Sequence, residues 1–592
     1  MKSINKNLNA QIALRIFYFI LIILFLRIDL VLQNNTPTGG DMGAHIVGVS
    51  YFIKNFAPNF EINGWSNDWF AGYPLYYFYF PLPAIFTYLI NLILPFGISF
   101  KIMVALSIFI MSYSIEKLLR TKDVKFSIYG AAAGLLYIFT ESFTIYGGNL
   151  ASTLAGQYSF TFALAFGNLS IFYMIKSKNR FQLPISSIFL GFCLLSHLIP
   201  FLIYAPVFGF YWLFKKNNVR IRLLSLLIFS TIVLRFLTGL VTNLEYTTNM
   251  SYTPFSKIED LIKADILPLL FVIFIFLSNL IRKEFIENRL NIFIIYLIGI
   301  SIFLYFFVPE GALWNGRLVP FFNLGVVLMF FQTSKLIIKN LYLYQQGSNN
   351  LKFIFFVSTL LCLYLFYENW SENQNYLNMY IPIIVLIIIL AILYINNLSI
   401  QFSLLLFSLV FSSVSFLPHW INWNFSGYEN KQDWKEIEKL YEGLKSLPPG
   451  RIMWEPNSEM NKYGTPMALM TIPYFTQHTS MEGLYFDSSI TTPFHFIAVS
   501  GLAKKPSNPV GGLSYINNDF EKGVDYLYEL GVDYFISYTK EIENKSLNSD
   551  KMVLLFTTEP FSVFKINSLK VELIDEDIEI FRKVSKQDGI IS

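Results

Sequence analysis

Charge is the first thing this chain lacks. Only 14% of its 592 residues are Asp, Glu, Lys or Arg, against about 25% in ordinary soluble domains. The formal net charge is +4, too small to argue for nucleic acid as a partner. Cysteine is nearly absent. Cys193 and Cys362 both lie inside apolar runs, so no disulfide framework is expected and the pair says nothing of redox compartment. No Walker loop, GxSxG elbow, HExxH pair or CxxC pair occurs. Those absences speak against an ATP-driven pump, a serine hydrolase of that type and a zincin. Energy for any reaction would have to come from an activated substrate.

What is present is hydrocarbon. The mean hydropathy is +0.48. The runs 380–395 (YIPIIVLIIILAILYI) and 292–308 contain no charge and approach the roughly 20 residues that span a bilayer core. Such runs recur to about residue 417. The expected class is a polytopic α-helical membrane protein, since β-barrel strands would be shorter and would alternate. The 61 Phe and 36 Tyr read first as lipid-facing bulk and interfacial belts, and only second as sugar-stacking surfaces.

Orientation follows from basic residues in short loops. Lys176, Lys178 and Arg180 form one cluster, and Lys215, Lys216, Arg220 and Arg222 another. Arg282, Lys283 and Arg289 form a third, and Lys335, Lys339 and Lys352 a fourth. These loops are expected on the cytoplasmic side, with 141–157, 242–264 and 367–378 outside. The opening run, 10–32, lacks a small-x-small cleavage site and reads as an uncleaved span with a cytoplasmic N-terminus. Fourteen apolar runs can be drawn. Parity requires that one run before residue 141 fail to cross, with 75–118 the candidate. About 13 crossings remain by the positive-inside rule, in what is expected to be the plasma membrane.

From about residue 421 the composition changes: charge, Pro and Gly return. Residues 434–447 read as an amphipathic helix, and 451–454, 534–537 and 553–556 as short strands. Residues 524–530 read as a helix stopped by Gly531. The expected organisation is a membrane unit over 1–420, with a first outer loop over 33–74, and an extracytoplasmic α/β domain over 421–592.

Candidate chemistry gathers in the outer loops. In TGGDMGAH, Asp41 falls at a helix N-cap position and His45 lies one helical turn on. The plain reading is a cap and an interfacial histidine. The functional reading is a general base on an acceptor hydroxyl, with His45 orienting substrate or binding phosphate. In WSNDWFAGYPLYYFYFPLP, Asp68 stands between Trp65 and Trp69, with Tyr73 close behind. That stretch is either an aromatic belt or a groove for a prenyl chain or sugar, with Asp68 a second carboxylate. The loop ESFTIYGGNLASTLAGQ offers Asn149, Ser152, Thr153 and Gln157 to sugar hydroxyls. Arg317, after PEGALWNG, and Arg235, inside an apolar run, carry the planar fork that suits phosphate. Snorkelling is the plainer account of Arg317 and suits Arg235 less well. His197, in LLSHLIP, reads as a backbone-bonded histidine or as part of a polar cavity. A divalent metal stays open, with few visible ligands.

Together these residues resemble a known superfamily. A first outer loop with an acid before a juxtamembrane helix, many spans and an outer C-terminal domain resemble the GT-C membrane glycosyltransferases. More narrowly, GDMGAH, NDWFAGYPLYYFYFPLP, YGGN, LLSH and WNGR are similar to the membrane family labelled "6-pyruvoyl-tetrahydropterin synthase-related", a label that implies no pterin chemistry. The resemblance covers roughly residues 10–340. It implies transfer of a sugar from a polyprenyl-phosphate carrier to a glycan, lipid or protein acceptor at the outer membrane face, with Asp41 at the position of the catalytic acid. The later loop 147–157 lacks the acidic pair of oligosaccharyltransferases, and no WWDYG-like motif follows. Peptide N-glycosylation is therefore not expected. Two rival readings remain: a transporter or flippase of lipid-linked glycans, and a membrane-anchored binding protein.

Overall fold

The computed structural model describes residues 16–567 apart from 17–18, 21, 120–126, 142, 177–180, 215–217, 245–246, 249–287, 309–312, 345–413 and 415. The expected spans at 265–281, 353–367 and 379–395, and most of 402–417, lie outside the described residues.

The first outer loop begins with helix α1 (Met42–Tyr51), which is buried from Met42 to Ser50. It continues through a wide turn at Phe52–Phe56 and a tight one at Ala57–Asn59, ended by Phe60 at φ 56°. A two-stranded ribbon follows, with β1 (Gly64–Ser66) antiparallel to β2 (Tyr73–Leu75). Helix α2 (Leu82–Asn91) has only ten residues, about 15 Å against a hydrocarbon core of about 30 Å. Helix α3 (Phe96–Leu119) has 24. The stretch 75–118 therefore holds one helix long enough to cross, and the run at 75–95 is the short one.

The bundle continues with α4 (Ser127–Ile138), α5 (Tyr158–Lys176), α6 (Gln182–Ser196), α7 (Leu198–Phe214), α8 (Val219–Thr242), α9 (Arg289–Phe307) and α10 (Val319–Tyr344). By length and composition, four helices among the described residues can cross a membrane: α3, the run Leu150–Ile175 that contains α5, α8 and α9. Small polar residues join the helices, as expected where lipid gives no hydrophobic drive between them. Ser170 of α5 and Ser186 of α6 lie 2.9 Å apart. Asn168 of α5 donates to Ser114 of α3 at 3.1 Å and accepts from Tyr204 of α7 at 2.7 Å. Lys101 of α3 is fully buried. Its ammonium donates to the carbonyls of Leu30 and Gln33, both at 2.6 Å, and to the Asn35 side chain. A buried cation is tolerable only with such partners, and these tie down the start of the outer loop.

Beyond α11 (Leu417–Phe425) and the amphipathic α12 (Trp434–Lys445) comes a five-stranded mixed sheet. Its strands are β3 (Arg451–Trp454), β4 (Thr479–Ser480), β5 (Tyr534–Ser537), β6 (Met552–Thr558) and β7 (Phe561–Ile566), in the order β4-β3-β5-β7-β6. β3 runs parallel to β4 and β5, while β7 is antiparallel to β5 and β6. Helices α13 (Thr492–Leu502), α14 (Phe520–Glu529) and α15 (Lys540–Asn548) complete this region. Gly531 takes φ +66° just after α14, a backbone shape that favours glycine at a helix end.

The outer loop and this region interlock. Thr38 N–H donates to Asn424 O at 3.0 Å, and Ser480 N–H to Asp68 O at 2.8 Å. Trp69 pairs with Ser480 beside the β4 edge and donates its indole N–H to Met470 O at 3.0 Å.

Candidate active site

Asp41 holds the N-cap position of α1 without capping it. Its backbone is helical, at φ −82° and ψ −6°, and its side chain accepts no hydrogen bond from the helix. The turn before it explains this placement. Gly39 and Gly40 have φ +93° and +53°, and the Asp41 N–H donates to Ala155 O at 3.0 Å. The carboxyl lies half-buried against a cavity of about 960 Å³. Burial pushes its pKa up to about 6, and the Arg317 guanidinium pulls it back down in part.

Gly156 closes the other side. It sits at φ +109° in the wide turn Thr153–Gln157. A Cβ there would come within 2.8 Å of Asp41 Cβ and 3.2 Å of His45 Nε2, so only glycine fits. His45 is buried, and its Nδ1 lies 2.7 Å from the Tyr485 hydroxyl. Burial lowers its pKa to about 3, and a hydrogen bond to the Gly156 backbone raises it in part. A bond that favours the protonated ring is a donation from it. The neutral imidazole thus donates to Gly156 and accepts at Nδ1 from Tyr485, a tautomer assigned from the network. Both ring nitrogens are engaged by protein. The ring so held lines the cavity beside Asp41.

Arg317 enters from the turn Asn315–Leu318 ahead of α10 and lines the same cavity. Its Nη1 donates to Ile145 O at 2.8 Å, Tyr146 O at 3.3 Å and Gln157 Oε1 at 2.7 Å. These bonds fix the plane of the guanidinium. His197, at the break between α6 and α7, also lines the cavity. It stacks on Phe80, with ring centroids 5.1 Å apart, and accepts from Ile199 N–H at Nδ1.

The other expected site residues lie elsewhere. Asp68 does not line this cavity; it is half-buried at the seam with β4. Burial raises its pKa to about 7, against a lowering pull from Lys54. Trp69 and Tyr73 are core residues, stacked with ring centroids 5.9 Å apart, and Trp65 is exposed with its indole N–H on Asn67. None of the three lines the cavity: Trp69 and Tyr73 pack in the core, and Trp65 stands at the surface. Asn149 is fully buried. It accepts from Ser152 N–H and donates to the carbonyls of Thr140 and Phe143, so a sugar contact there is corrected to a cap. Arg235 donates to Phe60 O at 3.2 Å and lines a separate recess with Glu61 and Asn63, so it does not join Arg317.

Tyr485 was not expected. It adopts φ +66°, uncommon for a bulky residue, and packs against Tyr79 with centroids 4.0 Å apart. Glu482, Asp487 and Trp454 also line the cavity. Among the described residues, no group of three or more His, Cys, Asp or Glu side chains is disposed to hold a metal ion.

No family model matches the chain, and no curated protein sequence matches it. Solved structures do. ArnT from Cupriavidus metallidurans, bound to undecaprenyl phosphate, is 15% identical, with 94% of this chain and 99% of that chain covered and a TM-score of 0.52. The chain therefore shares the fold of that structure over almost its whole length. The arabinofuranosyltransferase AftD from Mycobacteria is 11% identical at a TM-score of 0.53, with 94% of this chain and 41% of that longer chain covered.

Proposed function

We propose that this protein is a membrane glycosyltransferase that moves a sugar from a polyprenyl-phosphate carrier to an acceptor hydroxyl at the outer membrane face. The observation that carries the reading is that the Asp41 carboxyl and the Arg317 guanidinium share one cavity. Beside them stands an apolar wall that includes Pro83, Ala84, Leu198 and Ile199, suited to a prenyl chain. The carrier phosphate would meet Arg317, whose fork matches phosphate geometry. The ligand of the similar ArnT is undecaprenyl phosphate, the same chemistry.

In the transfer step the acceptor oxygen bonds to the anomeric carbon, and the bond from that carbon to the phosphate oxygen breaks. The electron pair leaves with the phosphate, whose growing charge Arg317 stabilises. Asp41 takes the acceptor proton. His45, held by Tyr485 and Gly156, packs beside Asp41 and keeps its corner rigid.

Around this step we place the membrane unit over 1–420 and an extracytoplasmic unit over 421–592, in the plasma membrane with the N-terminus cytoplasmic. The motif string from GDMGAH to WNGR is what supports, as part of this proposal, a kinship with the membrane family labelled "6-pyruvoyl-tetrahydropterin synthase-related".

The test is Asp41→Asn, assayed in proteoliposomes with prenyl-phosphate sugars. Loss of a general base lowers transfer by about 10²- to 10⁴-fold, while membrane insertion and melting temperature stay as in the wild type. Undiminished transfer by this variant would remove Asp41 from the mechanism.

A further inference from the structure

The cavity wall built from residues beyond 450 carries polar groups that the transfer step leaves unused. Glu482 lines the cavity, with its side chain 11% exposed. Its Oε2 lies 2.7 Å from Nε2 of His495, a fully buried residue of α13. Among the described residues the Nδ1 of His495 has no hydrogen-bond partner, so the ring's bond to the carboxylate holds it in a single orientation. Trp454, at the end of β3, lines the same wall, and its buried indole N–H has no partner among the described residues. A buried donor left unpaired is costly, and native sites keep such groups where a ligand or water completes them. Asn457 and Ser458 follow in the next turn, and Phe486 and Phe496 supply aromatic rings to the same wall.

An oriented carboxylate, an indole donor, an amide and a hydroxyl beside aromatic faces form a set that recognises a polyhydroxylated ring. The carboxylate accepts from sugar hydroxyls, the donors meet ring and hydroxyl oxygens, and the aromatic faces take the C–H surface. A phosphate is disfavoured by the Glu482 charge. We propose that this wall is a carbohydrate subsite holding the sugar acceptor, with Glu482 as its main hydroxyl ligand, Trp454 as a donor and His495 as the positioning residue. The assignment of this sugar as acceptor rests on the glycosyl-transfer reading, in which Arg317 holds the donor's carrier phosphate and Asp41 takes the acceptor's proton.

The experiment is binding of the full-length protein in nanodiscs to a printed array of hexose, N-acetylhexosamine and pentose oligosaccharides. The wild type should bind a defined set of spots. Glu482→Gln and Trp454→Phe should lower binding at least 10-fold with melting temperatures unchanged. Should Glu482→Gln melt early, Trp454→Phe decides, because it keeps an aromatic ring on the wall while removing the N–H donor, and its own melting temperature reports the loss of ring volume. His495→Gln, whose amide can donate to the same oxygen, should retain binding that His495→Leu loses; equal loss in both would reduce His495 to packing. Wild-type binding by both Glu482→Gln and Trp454→Phe, or no spot bound by the wild type, overturns the subsite. Failure of the transfer reading would show separately, as undiminished transfer by Asp41→Asn.

Discussion

In the proposed transfer, the protonation state of Asp41 sets the rate. Its pKa, raised to about 6 by burial, leaves the carboxylate ionised at neutral pH and basic enough to take a proton. The rate of transfer should climb as pH rises through about 6 and level off above it. A pH profile of kcat/KM checks this, and a flat profile from pH 5 to 8 would exclude Asp41 as the base. Asp68 reads differently. Its carboxyl has a pKa raised from 3.8 to about 7, so the folded state binds the proton more tightly than the unfolded chain. That contribution to stability is fully present below about pH 4 and is lost as pH rises through about 7. Asp68→Asn should therefore raise the melting temperature at pH 8 above wild type and flatten its dependence between pH 4 and 7. Thermal unfolding at both pH values tests it. The group is half-buried, so solvent screening keeps the gain small. Gly156 gives the third residue-scale expectation. Gly156→Ala puts a Cβ 2.8 Å from Asp41 Cβ at φ +109°. It should cost about 1–2 kcal/mol in backbone strain alone and abolish transfer, as read by melting and by activity.

At the scale of elements, three segments build the acid's corner: the GGD turn into α1, the wide turn Thr153–Gln157 and the 482–487 segment. The first two were legible as outer-loop polar motifs, because their glycines and polar residues break the apolar run. Asp41 needed only local sequence to stand out, and so did Arg317 beside WNGR. Tyr485 did not. It lies 440 residues from His45, and nothing near it in the sequence marks a hydroxyl that will reach a distant imidazole. Tyr485→Phe keeps the ring that packs on Tyr79 and removes only the O–H. One hydrogen bond is worth about 1 kcal/mol, so kcat/KM should fall about five- to tenfold with unchanged melting. A wild-type rate would make the contact packing alone. Local reading also misled. Trp65, Trp69, Tyr73 and Asn149 are the residue types that bind sugars, yet the same apolar faces and amide groups serve burial and capping equally well. Composition cannot separate the two uses, whereas a neighbour list does.

At the scale of the whole molecule, the outer loop 33–74 and the region beyond 421 share a surface. Tyr428 packs so closely on Gly43 that a Cβ there would lie 1.9 Å from its hydroxyl. Glu429 accepts from the Thr36 N–H at 3.0 Å, and Trp69 is sunk against Met470. Residues 425–592 expressed alone should therefore expose apolar faces and be cut rapidly in limited proteolysis. A resistant, soluble fragment would show that this region folds without the loop. The sequence by itself determined the membrane class, the strands at 451–454 and 534–537, the glycine stop at 531 and the position of the acid. Each depends on patterns within a few residues: apolar run length, β-branched and aromatic clusters, turn glycines. Only tertiary structure decided which polar groups meet. It brought Asp41 and Arg317, 276 positions apart in the chain, to one cavity and left Asp68 and Arg235 outside it. Side chains converge through packing between distant segments, and one sequence carries no record of those distances.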